Sequence, residues 1–430
     1  MNNWLETTLL ALNLTNKMQK AEGFTRLGLS LDEQRSMAVF CKTASDLGLS
    51  VKKDPAGNII ARWNPAQSIL PAVVVGSHLD TVTNGGGYDG AAGVLCGLAA
   101  VKKLQDEQVI PSHPIEVVCF ISEESARFGI STIGSKAMAG MLDKGIGSVK
   151  DAHGVTIKEA AEQVGIDWGN VMAAERDESE IKSFVELHIE QGLEIERHHA
   201  EFGVVQGIAC PIRLKITVNG KAGHTGTTPM GERNDALVAI APLVTFVSEE
   251  AASLSAGSEL PIVATVSTVE LSPNSMNVIP GKVELGIDIR SVEDALKEKM
   301  AEKIVQQCKR LQEQLDGTIT IETLVHNPSV HLDASIMNRI KEAGEKTGFK
   351  SHVMNSGAGH DVMNMAKKWP SGLLFIRCRD GLSHHPEEHA DIEDLAMGVS
   401  ILSAFLRQEA GEVSDHTNRD HRTHRLNRTN

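Results

Sequence analysis

Short runs of β-branched and other apolar residues alternate with helical patterns in the first part of the chain. Each run breaks off into a polar, glycine-bearing loop: AVVVG at Ala72 to Gly76 is one, and PIEVVCFI, ending at Ile121, is another. This rhythm predicts a mostly parallel sheet with crossover helices. Between the two runs, Asp89 to Glu107 is small and apolar at helical spacing. It predicts a buried helix with Asp89 at its N-terminus, the usual place for a capping carboxylate. The opening MNNWLETTLLALNL lacks a basic segment and carries Glu6 among its leucines, so it reads as an amphipathic helix rather than a signal peptide.

From about Ile212 the pattern changes to strand (IRLKITVNG), helix (Glu232 to Ala252), strand (PIVATVSTVEL), strand (GKVELGIDIR), helix (Val292 to Leu315) and strand (TITIETLV). That βαββαβ order predicts a ferredoxin-like α+β unit inserted in the chain. After Asn327 and Pro328, a helix at Asp333 to Thr347 and the run GLLFIRC resume the earlier style. Residues 1–211 and 328–410 therefore read as one discontinuous α/β domain and 212–327 as the insert, and the polar stretch 411–430 reads as a solvated, disordered tail.

Charge and composition narrow the function. The 430 residues include 42 Lys and Arg against 56 Asp and Glu, a net charge of -14, and 41% are hydrophobic. That is enough for two or three cores, and the acidic balance argues against a nucleic acid or a membrane surface as partner. The expected partner is a small molecule. Six single cysteines without CxxC spacing argue against a disulfide framework. No uninterrupted apolar stretch approaches the roughly 20 residues of a membrane helix, and the expected location is the cytoplasm.

Candidate chemistry gathers where strands end. In GSHLDTV, His78 and Asp80 are two apart and share one side of an extended segment. A lone strand-end histidine is often structural; the alternative is a metal-ligating imidazole oriented by a carboxylate. Asp89 sits in the glycine-rich GGGYDG, and ISEES puts Glu123 beside Glu124. Adjacent carboxylates at a strand end repel unless a cation or proton separates them, so one binding metal and one accepting protons is an economical solution. SFVELHIEQG places Glu186, His188 and Glu190 on one face of what reads as a half-buried strand, and DGLSHHPEE adds His384 and His385. Such nitrogen and oxygen donors without thiolate suit Zn, Mn, Co or Ni in a hydrolytic role, with Asp89 able to bridge two ions.

Taken together, GSHLDTV, GGGYDGAAGV, SEESARF, ELHIEQG, GKAGHTGTTPMGERNDAL, PNSMNVIPG, SGAGHD and SHHPEE resemble the M20-type metallo-amidases of the hydantoinase/carbamoylase group. These are N-carbamoyl-L-amino acid hydrolases, allantoate amidohydrolases and related ureido-cleaving enzymes. The resemblance runs in order from about Phe24 to Leu406. It implies that His78, Asp89, Glu124, His188 and His384 bind two divalent ions, Asp89 bridging, that Glu123 is the general base, and that Asp80 is the partner of His78. His188 in place of a carboxylate favours the ureido-cleaving branch. The insert then resembles a lid and dimerisation domain, in which His224 stabilises the oxyanion, usually from the neighbouring subunit, and Asn277 and Arg290 hold a substrate carboxylate; outside the insert, Gln191 and Gly359 resemble substrate contacts. The resemblance implies a homodimer cleaving the ureido C–N bond of N-carbamoyl-L-amino acids. Allantoate amidohydrolase is the close alternative; a dimetal aminoacylase or dipeptidase, or a non-catalytic metal-binding protein, stand further off.

Overall fold

The computed structural model describes residues 1–258 and 260–413. The strands in chain order are β1 Ser50–Lys53, β2 Ile59–Trp63, β3 Ala72–His78, β4 Ile115–Phe120, β5 Ile181–Ile189, β6 Phe202–Ile208, β7 Ile212–Asn219, β8 Gly223–His224, β9 Val263–Ser272, β10 Val278–Ile279, β11 Lys282–Arg290, β12 Thr318–His326, β13 Val330–His331, β14 Ser351–Ser356 and β15 Ser371–Ile376. They fall into two compact units. Among the described residues, the first comprises Met1–Gln206, Leu332–Met354 and 360–413; the second comprises Gly207–His331 with Asn355–Gly359.

The sheet of the first unit runs β1-β2-β4-β3-β5-β15-β6, with β14 beside β6. Its centre, β4-β3-β5-β15, is parallel, while β1, β2 and β6 join antiparallel at the flanks. The central strands are buried on both faces because helices cover the sheet. The helix Ala91–Asp106 lies between β3 and β5 on one side and the helices Asn2–Leu12 and Ile392–Ala410 on the other. Gly93 makes this approach possible: a Cβ there would lie 2.1 Å from the Leu187 carbonyl oxygen.

In the second unit β12-β7-β11-β9 form an antiparallel sheet. With the helices Ala236–Ala256 and Asp294–Gln312 this is the ferredoxin-like βαββαβ arrangement. Alternate residues of β7 and β11 (Ile212, Leu214, Ile216, Val218; Val283, Leu285, Ile287, Ile289) pack with Ile240, Leu243 and Met300, Ile304 of the two helices. Lys297 is buried in this unit, and its ammonium donates to the Cys210 and Asn327 carbonyls and to Ser329 Oγ at 2.7 to 2.9 Å.

Three expectations from the sequence need correction. The helix after GGGYDG starts at Ala91 with Gly90 at its cap, and Asp89 does not cap it: Gly90, at φ 62°, turns the backbone there. β5 is buried on both faces rather than half-buried, since it lies mid-sheet. Residues 411–413 are paired, with Ser112 N–H donating to Gly411 O and Val413 N–H to Ile110 O; the rest of the expected tail, 414–430, lies outside the described residues. The helix Ala236–Ala256 is long and apolar enough, by length and composition, to cross a membrane, although Glu249 and Glu250 interrupt its apolar run. In the folded unit it lays Ile240, Leu243 and Val247 into the core.

Candidate metal centre and active site

Parallel pairing aligns the carboxyl ends of β3, β4, β5 and β15, the edge where open α/β sheets gather ligands. His78 ends β3, Glu123 and Glu124 follow β4, His188 is the penultimate residue of β5, and His384 lies in the loop after β15. Register fixes their neighbourhood, with His78 opposite Phe120 and His188 opposite Phe375.

Asp89 stands at the middle. Its Oδ1 lies 3.3 Å from His78 Nε2 and 3.0 Å from His188 Nε2, while its Oδ2 lies 3.4 Å from His384 Nε2, which in turn is 3.2 Å from Glu124 Oε1. Two donor sets result, His78, Asp89, His188 and Asp89, Glu124, His384, each with all donor atoms within 4.8 Å of one another. Two donors bound at about 2.0–2.2 Å to one ion stand roughly 3–3.4 Å apart, and the four spacings match. The tautomers fit as well. His188 Nδ1 is 2.9 Å from the Ile189 carbonyl and His78 Nδ1 is 3.1 Å from the Asp80 carbonyl, so each Nδ1 carries a hydrogen and each ring turns its Nε2 toward Asp89. A lone pair facing a carboxylate oxygen at that distance is satisfied by a cation or a proton between them.

The electrostatics run the same way. Burial opposes ionisation of Asp89, but the imidazoles of His188, His384 and His78 hold its carboxyl well below the usual range. Hydrogen bonding to Asp89 and Glu124 draws His384 up to about 10. Burial pushes the Glu123 carboxyl well above the usual range, with His78 opposing and Glu124 and Asp361 adding to the rise.

The loop carrying the two glutamates is bent and pinned. Ser122 has a left-handed backbone, φ 51°, and donates its N–H to Glu33 Oε1 at 2.7 Å. Asp80 Oδ1 accepts the Glu123 N–H at 3.0 Å and its Oδ2 the Glu124 N–H at 2.9 Å. Asp80 thus lies beside His78, at 3.4 Å from Nδ1, and also shapes the glutamate loop. Gln191 and His384 share the unfavourable positive φ (59° and 57°), a strain concentrated at functional sites. Gln191 Nε2 donates to Asp89 Oδ2 at 2.7 Å, and its Oε1 is buried without a hydrogen-bond partner among the described residues.

Not every candidate joins this cluster. Glu186 accepts from Ser77 Oγ and the Val362 N–H, and Glu190 accepts from the Glu194 and Ile195 N–H groups, so both are occupied elsewhere. His385 is exposed and accepts the Glu387 N–H. Glu33 and Glu388 are not among the candidates the sequence offers, although Glu388 lies in the quoted SHHPEE segment; its pair with Glu387 stands in a loop, away from the kind of strand end that singles out Glu123 and Glu124. A third donor group, Glu194, His198 and His352, lies outside the cluster, its two rings stacked at 3.8 Å.

Within the second unit, β8 pairs with β10, setting His224 opposite Val278, and the Asn277 carbonyl accepts the Thr225 N–H. His224 Nδ1 accepts the Gly226 N–H at 3.0 Å, which leaves Nε2 of the exposed ring to carry the hydrogen. Arg290 is oriented by Asp288, at 2.7 Å from Nε, and donates through Nη1 to the Gly357 carbonyl at 2.6 Å, two residues before the exposed Gly359.

Comparison with known proteins now places the chain. Residues 74–408 match the peptidase family M20/M25/M40. The chain belongs to that family. It is 36% identical over 384 residues to the N-carbamoyl-L-amino acid amidohydrolase of Geobacillus stearothermophilus, covering 89% of this chain and 93% of that one. It is 34% identical over 391 residues to the allantoate amidohydrolase of Escherichia coli, covering 91% and 94%. Among solved structures, a hydantoinase/carbamoylase family amidase from Burkholderia multivorans aligns with a TM-score of 0.85 at 30% identity, over 96% of this chain and 99% of that one. This M20 chain is a metal-dependent amidohydrolase with the α/β fold of that group.

Proposed function

We infer that this M20 enzyme hydrolyses the ureido C–N bond of N-carbamoyl-L-amino acids, giving the L-amino acid, carbon dioxide and ammonia. The observation that carries the reading is the division of Asp89, one oxygen toward His78 and His188 and the other toward His384. It supports two divalent ions, Zn or Mn, Co or Ni, held by His78, Asp89 and His188 and by Asp89, Glu124 and His384. Such ions supply Lewis acidity, which acidifies water and polarises a carbonyl.

The side chains do the rest. Glu123, outside both donor sets and with a carboxyl already raised by burial, takes a proton from the attacking water. Water oxygen bonds to the ureido carbon, the bond to the amino acid nitrogen breaks, and Glu123 returns its proton to that nitrogen; the released carbamic acid falls apart to carbon dioxide and ammonia. Asp80 holds the glutamate loop in place through two main-chain N–H groups. Gln191 Oε1, a buried acceptor, suits a ureido N–H. In the second unit, His224 Nε2–H is the donor for the oxyanion, and Asn277, Arg290 and the Gly359 segment hold the substrate carboxylate, for which a guanidinium is the natural fork. We assign that unit the roles of lid and dimerisation domain, and the enzyme a cytoplasmic homodimer.

Allantoate is the second reading, supported by the Escherichia coli relative. GYDGAAGV and DGLSHHPEE weigh toward the carbamoylase side. Comparing an N-carbamoyl-L-amino acid with its carboxamide tests the clamp. The acid should be cleaved at least a hundredfold more efficiently, and Arg290→Ala should collapse the gap; equal rates on both would overturn the carboxylate assignment.

A further inference from the structure

The mechanism leaves Glu388 without a task, yet its carboxylate is 5% exposed and fully engaged. Oε1 accepts the Tyr88 and Asp89 N–H groups, both at 2.9 Å. Oε2 accepts the Ser383 hydroxyl at 3.0 Å and the His384 N–H at 3.3 Å. One side chain therefore joins two loops about 300 residues apart in sequence, one carrying Asp89 and the other His384. Ser383 extends the link, standing 2.9 Å from Asp89 Oδ2.

The seat for Glu388 is built into the glycine run. A Cβ at Gly86 would fall 2.3 Å from both Glu388 Oε1 and Glu388 Cβ. No side chain fits there while the carboxylate keeps its place, which gives a steric reason for glycine in GGGYDG.

We propose that Glu388 is a positioning residue that clamps the Asp89 and His384 loops together and so sets the geometry of the Asp89, Glu124, His384 donor set. The proposal rests on the dimetal reading above and adds to it the residue that assembles the second set. A carboxylate can accept from four donors at once and a carboxamide oxygen cannot, so Glu388→Gln turns an NH2 group toward two of the N–H and O–H donors it now satisfies. The other donor set shares Asp89 but takes His78 from β3 and His188 from β5, strands that hold two of its three donors without the clamp, whereas the clamp touches both the Asp89 and the His384 loops of the second set.

The experiment is a titration of metal-stripped full-length protein with Mn2+, reading bound ions per chain and affinity by electron paramagnetic resonance, alongside kcat and KM. Wild type should take two ions. Glu388→Gln should keep one near wild-type affinity and bind the other ten- to a hundredfold more weakly, the usual effect of removing a group that orients a ligand. Its kcat should fall at limiting Mn2+ with KM little changed, and excess Mn2+ should recover it. Gly86→Ala, which displaces the carboxylate without removing it, should shift the same ion in the same direction and covers the case in which Glu388→Gln fails to fold. Two wild-type-like affinities in a folded variant of either kind would overturn the clamp alone, as would equal weakening of both ions. A wild type that binds no Mn2+ would overturn the dimetal reading and the clamp with it.

Discussion

Replacing Glu123 by Gln exchanges one oxygen for a nitrogen in a residue that is 7% exposed, so shape and packing are preserved. What changes is proton affinity. Glu123 belongs to neither donor set, its Oε2 lies 3.8 Å from His78 Nε2, and its main-chain N–H remains bound to Asp80 whatever the side chain. The two ions should therefore be kept. A positioned general base is worth about a hundred- to ten-thousand-fold in rate, or about 3–5 kcal/mol of barrier at 1.36 kcal/mol per decade. The carboxyl is buried among Glu124, Asp361 and Asp80, so removing its charge does not weaken the metal-stripped fold and can stabilise it. The assay is steady-state release of free amino acid, with metal content and melting temperature measured on the same sample. The expected result is kcat reduced by at least a hundredfold, KM within a few-fold, two ions bound and an unchanged or raised melting temperature without metal. Near-wild-type kcat would refute the base assignment; loss of metal would move Glu123 into the ligand set.

Chelation should lower the melting temperature, because ions that bind only the folded state add about 4 kcal/mol each at a thousandfold excess over Kd; an unchanged melt would argue against a resident metal centre. Lys297→Met removes charge-assisted hydrogen bonds to the Cys210 and Asn327 carbonyls. At about 1.5–3 kcal/mol each, the second unit should lose about 3 kcal/mol or more, read by urea denaturation, and a loss below 1 kcal/mol would contradict that account. Burial pushes the Asp288 carboxyl up, but Arg290 and Arg213 hold it below the usual range. A depressed carboxyl stabilises above its unfolded value of about 3.9 and loses that contribution as pH falls through its folded value. The melting-temperature gap between wild type and Asp288→Asn should therefore be present at pH 6 and shrink as pH falls below about 4; a gap unchanged with pH would refute the pairing.

The elements that can be read from sequence are those whose period is set by one dominant neighbour. β7 and β11 alternate because one face meets helices and the other does not, and the βαββαβ order followed from them. β5 misled because its polar positions, Ser183, Glu186 and His188, are buried with partners of their own rather than solvated. Strands β1 and β2 escaped notice: four and five residues long and at the sheet flank, they carry Lys52, Lys53 and Arg62 and no long apolar run. At the centre, the residue types and their places at strand ends were legible, since a hydrolytic metal site needs those donors. The contacts that orient them were not. Glu388 acts through main-chain N–H groups about 300 residues away in sequence, and Asp89 looked like a cap because nothing local reveals that Gly90 turns the chain away.

The central claim, cleavage of an N-carbamoyl-L-amino acid at a two-ion site, is tested most directly by one side-by-side assay. Metal-loaded protein is offered a panel of N-carbamoyl-L-amino acids and allantoate, and free amino acid and ammonia are scored separately. The account predicts efficient release of L-amino acid with matching ammonia, and poor turnover of allantoate. Ammonia from allantoate alone would contradict the substrate assignment while leaving the metal centre standing, and turnover of neither would contradict the ureido chemistry itself.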